Sequence, residues 1–282
     1  MIQTKAISTA ALVCRSVDYG EADRVLTLLT LEAGKVSVLA RGARRSRRRF
    51  GAALDLFVLG HAVLRLRTDG RLSTLERFDR GADYGAAIVR DVVKVAHGSY
   101  MLELARELWP PEQREPALFA LLVEGLAVLA AQAPSAGLLR SFELQLLRSV
   151  GLVPALERCV RCDDAVQGKR LSLAVGEGGV VCGACGPAAS PLSTASWEGL
   201  LALRDAPLAQ AAGLVPPGLQ RELRELMLLV VQHHLGRRPK ALDFILALTE
   251  AAAPRSPVAT GAVTAVCATT DAPPEQTPTP LR

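Results

Sequence analysis

The sequence predicts an α+β, multidomain protein, and three observations carry that prediction. The chain is 282 residues long, room for two or three modest domains. Its hydrophobic spacing changes near residue 81 from short alternating runs to helical spacing. Four of its six cysteines form two Cys-x-x-Cys pairs in the second half of the chain. Half of the residues are apolar and 22% are charged, which is enough for a real core and argues against global disorder.

The N-terminal part reads as strands: 10–17 (AALVCRSV), 24–30, 35–42, 53–67 and 72–78. Turn signals separate them at Asp18–Gly20, Glu32–Gly34 and Asp69-Gly70. Five short strands within about eighty residues predict a small barrel of the OB type. Two runs alternate. In 35–41 Val36, Val38 and Ala40 share one face, and Lys35, Ser37, Leu39 and Arg41 the other. In 61–67 Ala62, Leu64 and Leu66 oppose His61, Val63, Arg65 and Arg67. Such a strand packs a core on one side and offers charge on the other.

The helical spacing begins with 84–109, where apolar residues recur at 88, 92, 95, 102 and 108, and Pro110-Pro111 ends the run. Residues 116–132 are apolar nearly all round and predict a buried helix. Residues 135–151 start at the N-cap residue Ser135 and stop at Gly151. Further helices are expected at 194–206, 217–235 and 239–250. From Ala251 onward the chain is rich in Pro, Ala and Thr without periodicity, which predicts a disordered tail, with Cys267 incidental to it. The resulting division is a barrel over 1–80, a helical domain in two parts over 81–155 and 191–250, a cysteine-bearing insert over 156–190, and a tail over 251–282.

That insert is the most specific signal. Cys159 and Cys162 form one pair, and Cys182 and Cys185 the other, with nineteen residues between them. Each pair turns two thiolates toward one ion, and two turns complete a tetrahedron with Zn–S distances of about 2.3 Å. The intervening segment reads as a small hairpin around a Gly-rich turn, the layout of a zinc ribbon. One structural Zn2+ per chain is expected, since four cysteines leave no open position for catalysis. Lost metal affinity or redox-active pairs are the alternatives, although the βαβ setting of a thioredoxin-like site is absent. A zinc deaminase is excluded because neither His61 nor His97 is followed by the required His-x-Glu spacing.

Charge is unevenly spread. Residues 1–80 carry fifteen Lys/Arg against eight Asp/Glu, while the remainder carries eighteen against twenty. Six arginines crowd one stretch, "RGARRSRRRFG": Arg41, Arg44, Arg45, Arg47, Arg48 and Arg49, with no acid among them. Placed between two strands with basic faces, they predict a barrel-rim loop that binds single-stranded nucleic acid. The guanidinium fork matches phosphate oxygens and never loses its charge. Few aromatics lie nearby, only Tyr19, Phe50 and Phe57, so binding should be mainly to the backbone with little sequence preference. A solvated loop, or a contact with an acidic protein, is the competing reading. "GRRPKALDF" (236–244) is a second basic spot, either a helix cap or an auxiliary contact. His233 and His234 point about 100° apart on a helix and are not a metal pair.

Several classes drop out. No Walker-type phosphate loop and no catalytic constellation emerges. The opening "MIQTKAISTAALVCRS" has a short, interrupted apolar run unlike a signal peptide, and no stretch of about eighteen apolar residues is free of charge. A cytoplasmic protein without membrane contact is expected.

The order of parts resembles the RecO family of bacterial recombination mediators. "DYGEADRVLTLLTLEAGKVSVLARGARR" (18–45) and "GAALDLF" (51–57) look like that family's N-terminal signature, and "LRSFELQLLRSVGLVPALERCVRC" (139–162) like its helix leading into the first cysteine pair. The resemblance spans about residues 5–250. It implies a non-enzymatic protein that binds single- and double-stranded DNA and anneals complementary strands. It also implies contact with the acidic C-terminal tail of SSB and, with RecR, help in loading RecA on SSB-coated DNA. By position it implies a DNA-facing set of Lys35, Arg41, Arg44, Arg45, Arg47, Arg48 and Arg49, to which the basic face of strand 61–67 adds Arg65 and Arg67. Arg140, beside Leu139 and Phe142, would receive the SSB tail. The competing readings are an OB-fold RNA-binding or translation-associated factor with a zinc ribbon, and a zinc hydrolase.

Overall fold

Alternation in the first eighty residues closes a barrel. The structure, a computed structural model, describes residues 4–50, 54–67, 71–110, 113–187 and 190–252, with the side chains at 47, 48 and 249–252 outside that description. The strands β1 (Thr4–Tyr19), β2 (Asp23–Thr30), β3 (Gly34–Ala40), β4 (Val58–Arg67) and β5 (Ser73–Asp83) close in the order β1-β2-β3-β5-β4, an OB-like topology. β1 is twice the length that its apolar centre predicts. It pairs with β2 along its second half and with β4 along its first, curling around the barrel through an irregularity at Val13/Arg15. Residues Thr4–Thr9 belong to this strand because β4 supplies their hydrogen bonds.

Leu26, Leu28, Val38, Ala62, Leu64, Leu75 and Phe78 fill the barrel interior. The short helix α1 (Arg47–Phe50) seals one end by inserting Phe50 into that core. The strand expected over 53–67 starts later, at Val58. Phe57 sits at φ 68, a left-handed conformation unfavourable for a bulky residue. Its ring leaves the barrel and packs on Gly98, where a Cβ would come within 2.8 Å of it. That burial in the helical core offsets the backbone strain.

The spacing over 84–109 is not one helix. α2 (Gly85–Ile88) ends at Val89, and Asp91 restarts the chain as N-cap of α3 (Val92–Leu108), accepting from the N–H groups of Val93 and Lys94. α4 (Pro116–Ala131) and α5 (Ala136–Ser149) follow, and the Ser135 hydroxyl accepts from Leu138 N–H at 3.1 Å. Three short strands come next, β6 (Leu171–Ala174), β7 (Gly179–Val181) and β8 (Ser190–Leu192), in the order β7-β6-β8. The expected hairpin therefore gains a third strand. α6 (Thr194–Asp205), α7 (Gln220–Leu235) and α8 (Lys240–Ala252) complete the described chain, with a 3-10 segment at Leu208–Leu214 that the periodicity does not reveal. The helix α8 runs through residue 252, so the expected tail loses its first two residues, and 253–282 lie outside the described residues.

The barrel and the helices share a core. Leu12, Cys14, Leu29 and Phe57 pack with Tyr100, Trp109, Leu122 and Phe142. Gly34, at φ +65, meets the Gln113 carbonyl so closely that a Cβ would fall 2.0 Å from its oxygen. The Lys35 ammonium donates to the Arg106 carbonyl at 2.7 Å, and Arg114 pairs with Glu32 at 3.0 Å. A second shared core joins Leu156, Leu171, Leu173, Val180 and Val181 to Leu144 and Leu147 of α5 and to Leu223 and Met227 of α7. The cysteine-bearing segment is thus continuous in packing with the helices. Among the described residues no helix is long and apolar enough to cross a membrane.

Candidate nucleic-acid interface and metal centre

Inward-facing Leu26, Leu28, Val38 and Ala40 force their neighbours Val25, Thr27, Ser37 and Leu39 onto the outer wall of β2–β3. The arginine stretch leaves this wall at Arg41, turns at Gly42, and enters α1. A turn that reverses so sharply needs a fixed anchor. The β1–β2 hairpin tip supplies it: Gly42 N–H donates to the Asp23 carboxylate at 2.7 Å and Arg44 N–H to the Ala22 carbonyl at 3.0 Å.

The same tip brings acid to a stretch that has none of its own. Arg44 lies 3.9 Å from Asp18 and donates to the Glu21 carbonyl at 3.4 Å. Arg45 pairs with Glu21 at 3.6 Å, and Arg24 bridges Asp18 and Asp55 at 3.0 and 3.4 Å. The Arg44 and Arg45 pairs are exposed and loose, so each is worth about 0–1 kcal/mol and exchanges readily for another anion. Arg49 differs. It donates to the Arg41 carbonyl at 2.8 Å and stacks over the Phe50 ring at 5.0 Å, which makes it a brace of the loop. Arg41, Arg44 and Arg45 stay open to solvent. The side chains of Arg47 and Arg48 lie outside the described residues.

Three of the expected contacts point elsewhere. The Lys35 ammonium is directed at the helical domain, and burial lowers its pKa below the ordinary lysine range. This corrects the expectation that it faces DNA from the β3 surface. Arg65 and Arg67 stand on β4, which lies between β5 and β1 and does not adjoin the β2–β3 wall. Arg65 donates twice to Glu76, at 2.8 and 2.5 Å, and Arg67 is half-buried. The basic face of β4 therefore does not merge with the loop that follows β3, because the parallel β3–β5 pairing inserts a strand between the two.

Arg140 is also corrected. It is only 4% exposed. Its guanidinium donates to Glu143 at 2.6 Å and to the Arg224 carbonyl at 3.4 Å, while Tyr100 donates to the same Glu143 oxygen at 2.6 Å. Burial pushes the Glu143 carboxyl up, against the opposing pull of Arg140 and the Tyr100 hydroxyl. This arginine is committed to the interior and offers no open face to a partner's tail. The basic spot at 236–244 is likewise intramolecular. Glu103 of α3 accepts from Arg237 and from the Lys240 and Ala241 N–H groups, capping α8, and Arg238 pairs with Asp243 at 2.9 Å. The His233 and His234 rings sit edge to face, 5.2 Å apart.

The four cysteines converge as their spacing requires. The Sγ atoms of Cys159, Cys162, Cys182 and Cys185 all lie within 4.8 Å of one another, close enough to hold a metal ion. Cys162 and Cys182 are 3.8 Å apart, near the edge of a tetrahedron with metal–sulfur bonds of about 2.3 Å. The turns point backbone N–H groups at sulfur: Cys182 N–H donates to the Cys159 Sγ at 3.4 Å. That bond, with those from Cys162 and Arg161, lowers the Cys159 thiol to about 6. Cys162 moves the other way, up to about 12: the Asp164 N–H pulls it down, but hydrogen bonds shared with the neighbouring sulfurs and burial outweigh that pull, so an incoming metal ion would displace its proton. Arg161 steadies the knuckle from outside, donating to Glu177 at 2.7 Å and to the Cys185 carbonyl at 3.1 Å.

The residues that the sequence reading missed are the carboxylates Asp18, Glu21, Asp23 and Asp55 and the bridging Arg24. The hairpin signal at Asp18–Gly20 was visible, but not the loop that folds back onto it.

Comparison with known proteins places the whole assembly. The family model "Recombination protein O N terminal" matches residues 1–79, and "Recombination protein O C terminal" matches 89–243. The DNA repair protein RecO of Anaeromyxobacter sp. (strain K) is 44% identical over 244 residues, covering 85% of this chain and 95% of its own length. The DNA repair protein RecO of Myxococcus xanthus is 40% identical over 238 residues, 83% and 95% of the two chains. That of Thermobifida fusca is 37% identical over 227 residues, 75% and 91%.

Proposed function

The chain belongs to the RecO family of DNA repair proteins, with a role in recombinational repair, and from that premise we propose that it works by binding and annealing DNA strands rather than by making or breaking bonds. The observation that carries this reading is the open trio Arg41, Arg44 and Arg45 at the rim of an OB-like barrel, beside the outer β2–β3 wall. OB-fold barrels bind oligonucleotides on this wall and on the adjoining loop between the first two strands.

Binding is electrostatic in this account. Phosphates displace Asp18 and Glu21 from loose surface pairs and release condensed counterions. The arginines grip backbone and leave base edges free. A surface that neutralises two strands at once reduces their repulsion, and free edges then pair. Single- and double-stranded DNA are both ligands. Contact with the acidic SSB tail, cooperation with RecR and delivery of RecA to SSB-coated DNA complete the proposed role, with the tail site elsewhere than Arg140.

The metal in this proposal is one structural Zn2+ held by Cys159, Cys162, Cys182 and Cys185. Four sulfurs with N–H groups aimed at them suit zinc. When bound it supplies cross-linking of the two turns. Leu171, Leu173, Val180 and Val181 dock the β6–β7 hairpin on α5 and α7. Mass spectrometry of the intact protein checks this, and a metal-free, fully folded chain contradicts it.

The functional test is annealing of complementary oligonucleotides, bare and SSB-coated. Changing Arg41, Arg44 and Arg45 to Ala should abolish annealing. It should also flatten the log–log salt dependence of single-strand binding by about 2, from roughly 0.7 per lost contact. Unchanged affinity and slope would refute the role of the loop.

A further inference from the structure

The hairpin that anchors the arginine loop carries an aromatic ring that the fold does not use. Tyr19 ends β1 and is 61% exposed. The other aromatic residues up to Asp83 are Phe50, Phe57 and Phe78, all at most 2% exposed. Phe50 seals the barrel, Phe57 packs on Gly98, and Phe78 lies in the barrel core. Folding therefore buries every aromatic of this region except one. Its neighbour on the same strand face, Val17, is 44% exposed and extends the apolar surface.

The placement of the ring is fixed by backbone bonds. Tyr19 lies opposite Asp23 across the hairpin. Glu21, Ala22 and Asp23, the residues of the tip, accept the bonds from Arg44 and Gly42. Asp18 and Glu21, on either side of Tyr19 in the chain, meet the guanidinium groups of Arg44 and Arg45 at 3.9 and 3.6 Å, so one hairpin tip carries the ring and both cations. A flat apolar surface next to cations is complementary to an unpaired nucleotide, which has a flat base and a charged phosphate. Duplex bases are already stacked and present no free face.

We propose that Tyr19 is a stacking position for one unpaired nucleobase whose flanking phosphates are held by Arg44 and Arg45. The proposal rests on the nucleic-acid reading above and deepens it. The arginine loop alone attracts any phosphate chain, whereas the ring adds a preference for single strands independent of base identity.

The test uses the full chain with three probes: oligothymidylate, an abasic oligomer of equal length, and a duplex. Tyr19→Ala should weaken oligothymidylate binding about tenfold and leave the abasic oligomer and the duplex within about twofold. Tyr19→Phe should keep the wild-type affinity. Tyr19→Trp should give a fluorescent site that oligothymidylate quenches and the abasic oligomer does not. Wild-type affinity of Tyr19→Ala for oligothymidylate, with duplex binding intact, overturns the stacking position alone. So does an equal loss on all three probes. Failure of the wild type to bind any probe overturns the nucleic-acid reading and this one together.

Discussion

Arg44 and Arg140 each meet a carboxylate, and the two encounters differ in nearly every consequence. Arg44 lies 3.9 Å from Asp18 in open solvent, both side chains about half exposed. Arg140 holds Glu143 at 2.6 Å with both side chains in the core. Water screens the first pair and leaves its arginine available to any competing anion. The second is shielded from water, so the guanidinium cannot leave without stranding a buried charge. The same residue type is open to a competing anion in one place and structural in the other, and exposure separates the two.

The sharpest way to break this comparison is to remove Arg140. Arg140→Ala should cost about 3–5 kcal/mol, because Glu143 would remain buried without its cation. Replacing both partners with apolar residues of similar volume should recover most of that loss. Denaturant midpoints measure it, and a cost below about 1 kcal/mol would remove the distinction between the two arginines.

The next effect is a pH dependence from the same interior. His97 of α3 is 7% exposed; burial first, and the Arg140 charge second, lower its pKa to about 4. The folded protein keeps the ring neutral down to about pH 4, whereas the unfolded chain takes up a proton near 6.5. Stability from this group is therefore complete above pH 6.5 and declines as pH falls toward 4. Between pH 6.5 and 5 the loss should be about 2 kcal/mol. His97→Leu should flatten that part of the profile, and identical profiles for both proteins would contradict the assignment.

The smallest effect comes from the surface. Asp18→Asn with Glu21→Gln should change stability by less than about 0.5 kcal/mol. It should raise single-strand affinity several-fold at low salt, since phosphates no longer compete with these carboxylates for Arg44 and Arg45. An affinity that falls would mean that the acidic tip positions the arginines more than it masks them.

Much of this molecule was legible in its residues because the signals are local. Alternation in 35–41 correctly places Val38 and Ala40 inside the barrel, since side chains on a strand must point to opposite faces. Ser135 caps α5 because an orphan N–H needs an acceptor wherever a helix begins. The two Cys-x-x-Cys turns converge because each already orients its own pair of sulfurs. Where the reading missed, the signal was long-range. Phe57 is apolar and next to a strand, so it reads as part of that strand; only the presence of Gly98 on another element draws its ring out and breaks the run.

By itself, then, the sequence determined a basic barrel followed by helices and a four-thiol centre, all properties that follow from spacing along the chain. Tertiary structure alone decided which charges remain available. It folded the hairpin tip with Asp18 and Glu21 onto an arginine stretch that contains no acid, turned Lys35 toward Arg106, moved Arg65 to another wall and enclosed Arg140 with Glu143. The physical reason is that the free energy of a charge depends on its solvent exposure and its neighbours in space, and neither is written in the order of the residues.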